Sequence, residues 1–541
     1  MSEFKVKGLT SLELKDGEMK EVEIEGIEEG KVLLAKSGGK VHATGAKCTH
    51  YGAPLAKGVM NQRGSVTCPW HGACFNLSTG DVEDAPALDA LEIFTVSERD
   101  GAVYIKGDQA KIKSGRKNPV SACKAQGQDQ IVVVGGGSGT IGFIQALREH
   151  GSKANVTVIS KDEALPLDRT KLSKALISDP SKIQLRDQDW FDAQSIKNIE
   201  DEVTSVDFSS KSVETASGKK YPYSKLVLAT GGTPKRLPLE GFKDLKNIFV
   251  LRKVSDVQSI LSAVGEKKGK KIVVVGSSFI GMEVGNALAK ENSVTIIGME
   301  KEPLEAVMGQ EVGKVFRAQL EKSGVKFQMD ASVEKATASS SDSSVVGAIH
   351  LKDGTALEAD LVVLGVGVAP ATQFLKSSGI SLEKDGAITV DETFAVKGQE
   401  SVYAIGDIAK YPYYGPGGNG TPVRIEHWNV AQNAGRSVAI TLTSPSTKQK
   451  PFIPVFWSAL GSQLRYCGNT VSGYDDVVLK GKPQEGSFAA YYTKDETVLA
   501  VATMGMDPVM SKCKILMDEG RMLTKSELQG DKDPLSVAVV A

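Results

Sequence analysis

Cysteine is scarce in this chain, with six among 541 residues. A secreted domain stapled by disulfides would be far denser in cysteine, so that class is excluded and a reducing compartment is the natural setting. Long apolar runs are missing too: no stretch approaches the roughly 20 residues of a membrane-spanning helix. Neither sign of charge is in excess, since 65 basic and 66 acidic side chains leave a net charge of −1. That balance gives no electrostatic case for a nucleic-acid partner. The N-terminal stretch lacks the apolar core of a secretory signal, and its early acids Glu3, Glu13 and Asp16 do not suit an acid-poor transit peptide. A cytoplasmic protein with no membrane span is expected.

With 41% hydrophobic and 24% charged residues, the composition is that of a globular protein. The length suggests three or four domains at about 150 residues each. The most informative stretch is a pair of short loops, Cys48-Thr-His50-Tyr-Gly-Ala-Pro and Cys68-Pro-Trp-His71-Gly-Ala-Cys-Phe. Thiolates are soft donors suited to iron in a sulfide cluster, and neutral imidazoles suit an iron that is easier to reduce. Each loop can send one ligand to each of two irons. Zinc is the alternative, but zinc sites usually pair like ligands within a loop, and here each loop mixes the two. Cys48, His50, Cys68 and His71 in this pattern resemble the Rieske 2Fe-2S family.

Residues 1–108 alternate in short β-type segments, such as Glu21–Ile24, Lys31–Leu34 and Val103–Ile105, with turns at Asp16-Gly17 and Asp100-Gly101. An all-β Rieske domain is expected there. In the respiratory-complex branch of that family two more cysteines tie the loops together; this chain has Ala53 and Trp70 instead. The resemblance is thus to the ferredoxin type, which implies a potential near the low end of the range, about −150 mV rather than +300 mV. Cys74 reads as a free buried thiol. Residues 109–128 are polar, aperiodic and read as a linker, with Cys123 lacking an evident partner. Such a tether sets an effective concentration and no particular geometry.

From residue 129 the pattern changes to α/β. The apolar run Ile131–Val134 ends in Gly135-Gly-Gly137-Ser-Gly139-Thr140 and a helical stretch. Such glycines permit a tight turn and bring backbone N–H groups to a pyrophosphate at a helix N-terminus. Thr140 stands where the third glycine is usual, and Asp162 or Glu163 is the nearest acid for a ribose. The same grammar returns at Lys271–Val275, followed by Gly276-Ser-Ser-Phe279-Ile-Gly281-Met-Glu283 and the strand Val294–Ile297. Two such units imply two dinucleotides. Glu300 beyond the second strand suits a ribose 2′-hydroxyl and favours NADH; Lys301 leaves NADPH open.

Further segments follow in order: Leu165–Lys174, Ala229-Thr230-Gly231-Gly-Thr-Pro234, Leu364-Gly-Val-Gly367, Tyr403–Asp407, Arg424-Ile-Glu426-His427-Trp428 and Val455-Phe-Trp457. With the two glycine turns they resemble the FAD-dependent pyridine-nucleotide reductases, in the branch of oxygenase-coupled ferredoxin reductases and apoptosis-inducing factor. With its Rieske segment the whole chain resembles the apoptosis-inducing factor 3 type. The resemblance implies an FAD domain in two segments (129–250 and 377–448), an NAD(P) domain between them (251–376) and a C-terminal α+β reductase domain (449–541). It puts Arg169 and Lys174 at the flavin, Asp407 at the ribityl chain, Glu283 and Glu426 near the nicotinamide, Trp457 against the ring system, and His427 among the cofactor-binding residues. Thr230, Gly231, Phe279 and Gly367 belong to the same cofactor-binding set. Catalytic weight falls on Lys174, Glu283 and Trp457: a cation beside the flavin stabilises its anionic reduced form, and a carboxylate holds that cation. Plain alternatives are a helix cap for Asp407 and a core aromatic for Trp457.

No cysteine lies between Cys123 and Cys467, so the thiol relay of the disulfide reductases is excluded. The expected activity is NAD(P)H:acceptor oxidoreduction, with electrons passing by FAD to the chain's own 2Fe-2S cluster and on to an external acceptor such as a redox protein. Two alternatives stay open. One is direct reduction of a small or quinone-like acceptor at the flavin; the other is a redox-controlled signalling protein with slow turnover. The sequence does not settle the oligomeric state, and the family resemblance alone would allow a mitochondrial association.

Overall fold

The first strands explain how one small domain builds two cores. In Lys31–Ser37 four consecutive residues are fully buried, and alternation sends them to opposite faces. Leu33 and Ala35 pack with Cys48, Cys68 and Phe75 beneath the ligand loops. Val32 and Leu34 pack with Phe94, Val103 and Ile105 on the other side. The computed structural model describes residues 2–117, 119, 122–161, 165–448 and 451–539. Its N-terminal part is all β. A six-stranded antiparallel sheet runs in the order Ser2–Lys5, Ala102–Gly107, Ile93–Arg99, Lys40–Gly45, Lys31–Ser37, Met19–Glu23. A second, four-stranded sheet (Val59–Met60, Ser65–Thr67, Cys74–Asn76, Val82–Asp84) carries the second ligand loop.

The next part is doubly wound. A five-stranded parallel sheet has the order Ile196–Glu200, Asn155–Ser160, Gln130–Val134, Lys225–Leu228, Val402–Ala404. Its last strand comes from far along the chain, after a second parallel sheet has been inserted: Ile248–Val250, Leu361–Leu364, Lys271–Val275, Ser293–Ile297, Lys326–Gln328. The C-terminal part is a five-stranded antiparallel sheet with the helix Val509–Asp518. Its Leu464, Phe488 and Tyr492 share a core with Val312 and Phe316 of the second parallel unit. Among the described residues no helix is long and apolar enough to cross a membrane.

The stretch read as a linker is more ordered than its composition suggests. It opens with a helix, Gln109–Ser114, whose N-cap Asp108 accepts from the backbone N–H groups of Ala110 and Lys111. Arg116 then pairs with Asp89 at 2.8 Å and donates to the Thr49 carbonyl at 2.6 Å. Cys123, expected to lack a partner, has its backbone N–H on the Ala193 carbonyl and its thiol 3.7 Å from the Ser152 carbonyl.

The expectation of a tether without fixed geometry is overturned. Helix Trp428–Thr443 clamps the Rieske backbone: Asn433 accepts from Ala85 N–H at 2.8 Å and Asn429 donates to the Ala85 carbonyl at 2.7 Å. Arg436 from the same helix donates to the Val82 carbonyl at 2.6 Å. Lys514 meets Asp84 at 2.6 Å, and Ser511 donates to the Cys68 carbonyl at 2.8 Å. Buried polar groups must be paired, and here their partners lie in the other domain, which fixes one docking geometry.

Candidate functional site

The two ligand loops are built alike. Cys48 N–H donates to the Ala53 carbonyl and Cys68 N–H to the Ala73 carbonyl, both at 2.8 Å. Each loop turns on a left-handed glycine, Gly52 (φ +78°) or Gly72 (φ +73°), which a β-carbon would strain. The loops bring like ligands together from opposite sides. The Cys48 and Cys68 thiols hydrogen-bond each other, and this contact together with burial pushes the Cys48 thiol well up. The His50 and His71 Nδ1 atoms lie 3.1 Å apart. Burial holds His71 well below the usual imidazole range and lowers His50 to about 4, so both rings are neutral, the form that binds metal. Among the described residues no three Cys, His, Asp or Glu side chains converge on one ion centre. A mononuclear zinc site therefore fits poorly, whereas two thiols and two imidazoles in separate pairs fit a binuclear iron–sulfur cluster.

The two glycine turns are conformational copies. Gly135 and Gly276 both sit at φ +109°, and a β-carbon on either would come within 2.3 Å of a neighbouring carbonyl oxygen, that of Ala229 or Gly365. Each turn leads into a helix, Ser138–Glu149 capped by Gly137 and Phe279–Leu288 capped by Ser278. Gly137 has open space where a β-carbon would be, the room a phosphate needs at a helix N-terminus. Thr140 is buried, and its hydroxyl donates to the Gly135 carbonyl at 2.6 Å. It braces the turn in place of the third glycine.

The first turn opens on a cleft of 280 Å³ that gathers most of the expected residues. Gly135, Gly137 and Gly139 form one wall, Thr230, Gly231 and Asp407 another, and Arg169 and Lys174 a third. Phe279, Glu283, Glu426, His427 and Trp457 complete it. Lys174 meets Glu283 at 3.0 Å, with the carboxylate side chain 1% exposed. Ser458 donates to one oxygen of Glu283 at 2.5 Å and the Ser173 hydroxyl donates to the other. His427 packs on Phe456 at 4.9 Å between ring centroids, and burial lowers it to about 4. Glu426 pairs with Arg424. The cleft's glycine wall, its cationic side and two buried, unpartnered ring nitrogens (His427 Nδ1 and Trp457 Nε1) fit a flavin dinucleotide.

Gly276, Gly281, Gly367 and Glu300 do not line this cleft. Gly276, Gly281 and Glu300 stand at the second turn, where Ser277 donates to Glu300 at 2.9 Å, while the Gly367 carbonyl accepts from Lys235 N–H. One helix joins the two places: Phe279–Leu288 starts at the second turn and sends Glu283 into the first cleft one turn later. Asp162 and Glu163 lie outside the described residues. Arg252 was missed. It donates to Asp407 at 2.9 Å from a loop with no motif, and its carbonyl accepts from Arg169 at 3.1 Å.

Trp457 joins the two halves of the site. Its ring lines the cleft, and its centroid lies 4.6 Å from that of His71 and 5.6 Å from that of His50.

Comparison with known proteins agrees with this architecture. Residues 129–435 match the pyridine nucleotide-disulphide oxidoreductase family, residues 5–95 the Rieske [2Fe-2S] domain and residues 455–539 the reductase C-terminal domain. Apoptosis-inducing factor 3 of Mus musculus is 38% identical over 96% of this chain and 84% of its own length. Rubredoxin-NAD(+) reductase of Ectopseudomonas oleovorans is 29% identical over 70% of this chain and 96% of its own. The structure of a covalent putidaredoxin reductase–putidaredoxin complex superposes with a TM-score of 0.70 at 26% identity, covering 75% of this chain and 97% of that one. With a Rieske 2Fe-2S domain built onto an FAD- and NAD-dependent reductase, the chain belongs to the pyridine nucleotide-disulphide oxidoreductase family, in its apoptosis-inducing factor 3 branch.

Proposed function

We propose that this oxidoreductase takes electrons from NADH and passes them by its flavin to its own Rieske cluster, and from there to an external acceptor. The observation that carries the proposal is the position of Trp457, whose ring borders the first cleft and packs on His71 at 4.6 Å. Bound FAD would supply the change from a two-electron hydride donor to the single electrons that a 2Fe-2S centre takes. The chain's own residues position and shield. Gly135, Gly137 and Gly139 would hold the flavin pyrophosphate, and Arg169 and Asp407 its polar arm. Lys174, fixed by Glu283, would sit against the ring. Gly276, Gly281 and Glu300 would hold NADH, with Gly367, Phe279, Glu426 and His427 around the nicotinamide. The reading of the first nucleotide domain as 129–250 with 377–448, and of the second as 251–376, is supported by Val402–Ala404 completing the first parallel sheet.

A separate redox protein as external acceptor is supported by the relatives. One is named for reducing rubredoxin, and one solved structure holds a reductase with putidaredoxin. The deciding experiment is anaerobic reduction of the loaded protein with NADH, followed by visible absorption and EPR. Bleaching of the flavin together with growth of a Rieske-type signal is expected. A bleached flavin beside a cluster that stays oxidised would refute the internal route.

A further inference from the structure

Both histidines that face the cluster position are turned toward the chain's own reductase part. His71 is 5% exposed, and Trp457 covers both rings. An external protein therefore cannot reach the cluster across the face that the two imidazoles share. The Tyr51 edge is open to solvent. Tyr51 lies flat on His50, with centroids 3.7 Å apart and planes at 15°, and is itself 39% exposed. Its hydroxyl donates to Asp168 of the reductase part, which fixes the ring in place. His50 and Tyr51 together form part of the wall of a second cavity, 170 Å³ in volume, at the seam between the two domains.

The lining of that cavity is net positive, with Arg116, Lys171, Lys182 and Arg186 against Asp89 and Asp168. Arg116, Lys171 and Lys182 bring exposed or half-exposed cations to its lining, and Lys171 stands 5.2 Å over the Tyr51 ring. The two acids of the lining are buried and paired: Asp89 with Arg116 and Arg186, Asp168 with Tyr51 and Lys171. Asp179, beside Lys182, is exposed, and its carboxylate is engaged by Ser181, accepting from the backbone N–H at 3.0 Å and from the hydroxyl at 2.7 Å. An opening whose lining is net positive steers a partner of the opposite sign and favours one orientation.

We propose that this seam is the chain's outlet: an acidic one-electron carrier protein docks on the basic rim of Arg116, Lys171 and Lys182 and takes its electron past the stacked Tyr51–His50 pair. In the step, one electron leaves the reduced cluster and the carrier's metal falls by one oxidation state; no bond or proton moves. The inference deepens the proposed function and rests on it for the direction of flow.

The test uses the loaded full-length protein and the soluble domain of cytochrome b5, an acidic one-electron haem protein, as probe. Binding is first measured by calorimetry with both proteins oxidised, so that no turnover is involved. Affinity that falls as salt is raised is expected, with a loss of about tenfold or more in Lys171→Glu/Lys182→Glu. Lys182→Glu alone, at an exposed position, should show a smaller loss in the same direction. Both variants must retain the wild-type flavin spectrum and Rieske EPR signal. The cluster is then reduced with dithionite and mixed with cytochrome b5, where the double variant should transfer more slowly. Equal binding by wild type and double variant, or a wild-type preference for basic cytochrome c, would overturn the proposal. Because neither measurement uses NADH, failure of NADH to reduce the cluster would leave this result untouched.

Discussion

Lys514 Nζ and Asp84 Oδ2 lie 2.6 Å apart, and their side chains are only 6% and 8% exposed. The lysine belongs to the helix Val509–Asp518 of the reductase part and the aspartate to the strand Val82–Asp84 of the Rieske part. Burial alone would lower the lysine, but Asp84, with Cys74 and Asp518 nearby, outweighs it and the Lys514 ammonium is raised above its ordinary value. Removing Lys514 takes the close cation from a buried carboxylate. Lys514→Met is expected to cost about 3–5 kcal/mol, whereas Lys514→Met/Asp84→Leu recovers most of it, because well-packed apolar replacements of a buried pair are often near neutral. Denaturant unfolding of the three proteins checks this double-mutant cycle. Equal stability of the single and double variants would mean that the pair does not couple the domains.

Trp457 offers a cleaner separation of the two halves of the reaction. Trp457→Leu leaves the glycine turns, Lys174 and Glu283 in place, so NADH should still bleach the flavin, with a smaller loss of rate than the cluster suffers. It removes the ring that packs on His71 at 4.6 Å. Cluster reduction should slow by about tenfold or more, equivalent to ~1.4 kcal/mol of added barrier. Stopped-flow absorption at flavin and cluster wavelengths reads the two rates separately. A variant that slows both equally would place Trp457 in flavin binding and not between the centres.

The features legible in the sequence were those encoded by short spacing. Cys48, His50, Cys68 and His71 lie in two loops of a few residues, and the loops close as their glycines imply. Gly135 and Gly276 could be read from strand–turn–helix order, and their matching φ of +109° is the structural counterpart of the repeat. The Lys174–Glu283 pair came from family resemblance, because nothing local links positions 109 residues apart. The clamp between the domains was not legible. Asn429, Asn433, Arg436 and Lys514 belong to no motif in the sequence. Their partners at 82–85 lie more than three hundred residues away, and only the folded chain shows that these side chains face another domain. Arg252 was missed for the same reason: its partner Asp407 comes from the returning segment of the first nucleotide unit.

Glu300 lies just past the strand Ser293–Ile297 and accepts from Ser277 in the second turn. A carboxylate there would accept from the 2′-hydroxyl of NADH and repel the 2′-phosphate of NADPH. Glu300→Gln should raise KM for NADH by about five- to tenfold, the weight of roughly one hydrogen bond, and lower KM for NADPH, with kcat little changed. Steady-state kinetics with both nucleotides and ferricyanide as acceptor measures the ratio. An unchanged NADH/NADPH preference would remove Glu300 from ribose recognition.

His427 makes an acid-side prediction about stability. Its ring is buried, with Asp407, Phe456 and Tyr466 around it; burial lowers it to about 4, and Asp407 opposes that only in part. The unfolded chain binds a proton on this histidine near pH 6.5, the folded chain only near 4. Between those values the unfolded state holds more protons, so stability contributed by the neutral ring is complete above pH 6.5 and is lost as pH falls toward 4. A separation of that size corresponds to about 3 kcal/mol at most. Other histidines are lowered as well, His42 and His150 among them, so the wild-type slope alone does not isolate the effect. The informative quantity is the difference between wild type and His427→Gln, both loaded with cofactors, unfolded by denaturant at pH 7.0, 5.5 and 4.5. Glutamine keeps a polar group in the site and cannot titrate, so the gap between the proteins should narrow steadily with acid. A constant gap would mean that His427 titrates in the folded protein as it does in the unfolded chain, and a gap that widens with acid would mean an ion pair with Asp407 strong enough to overcome burial.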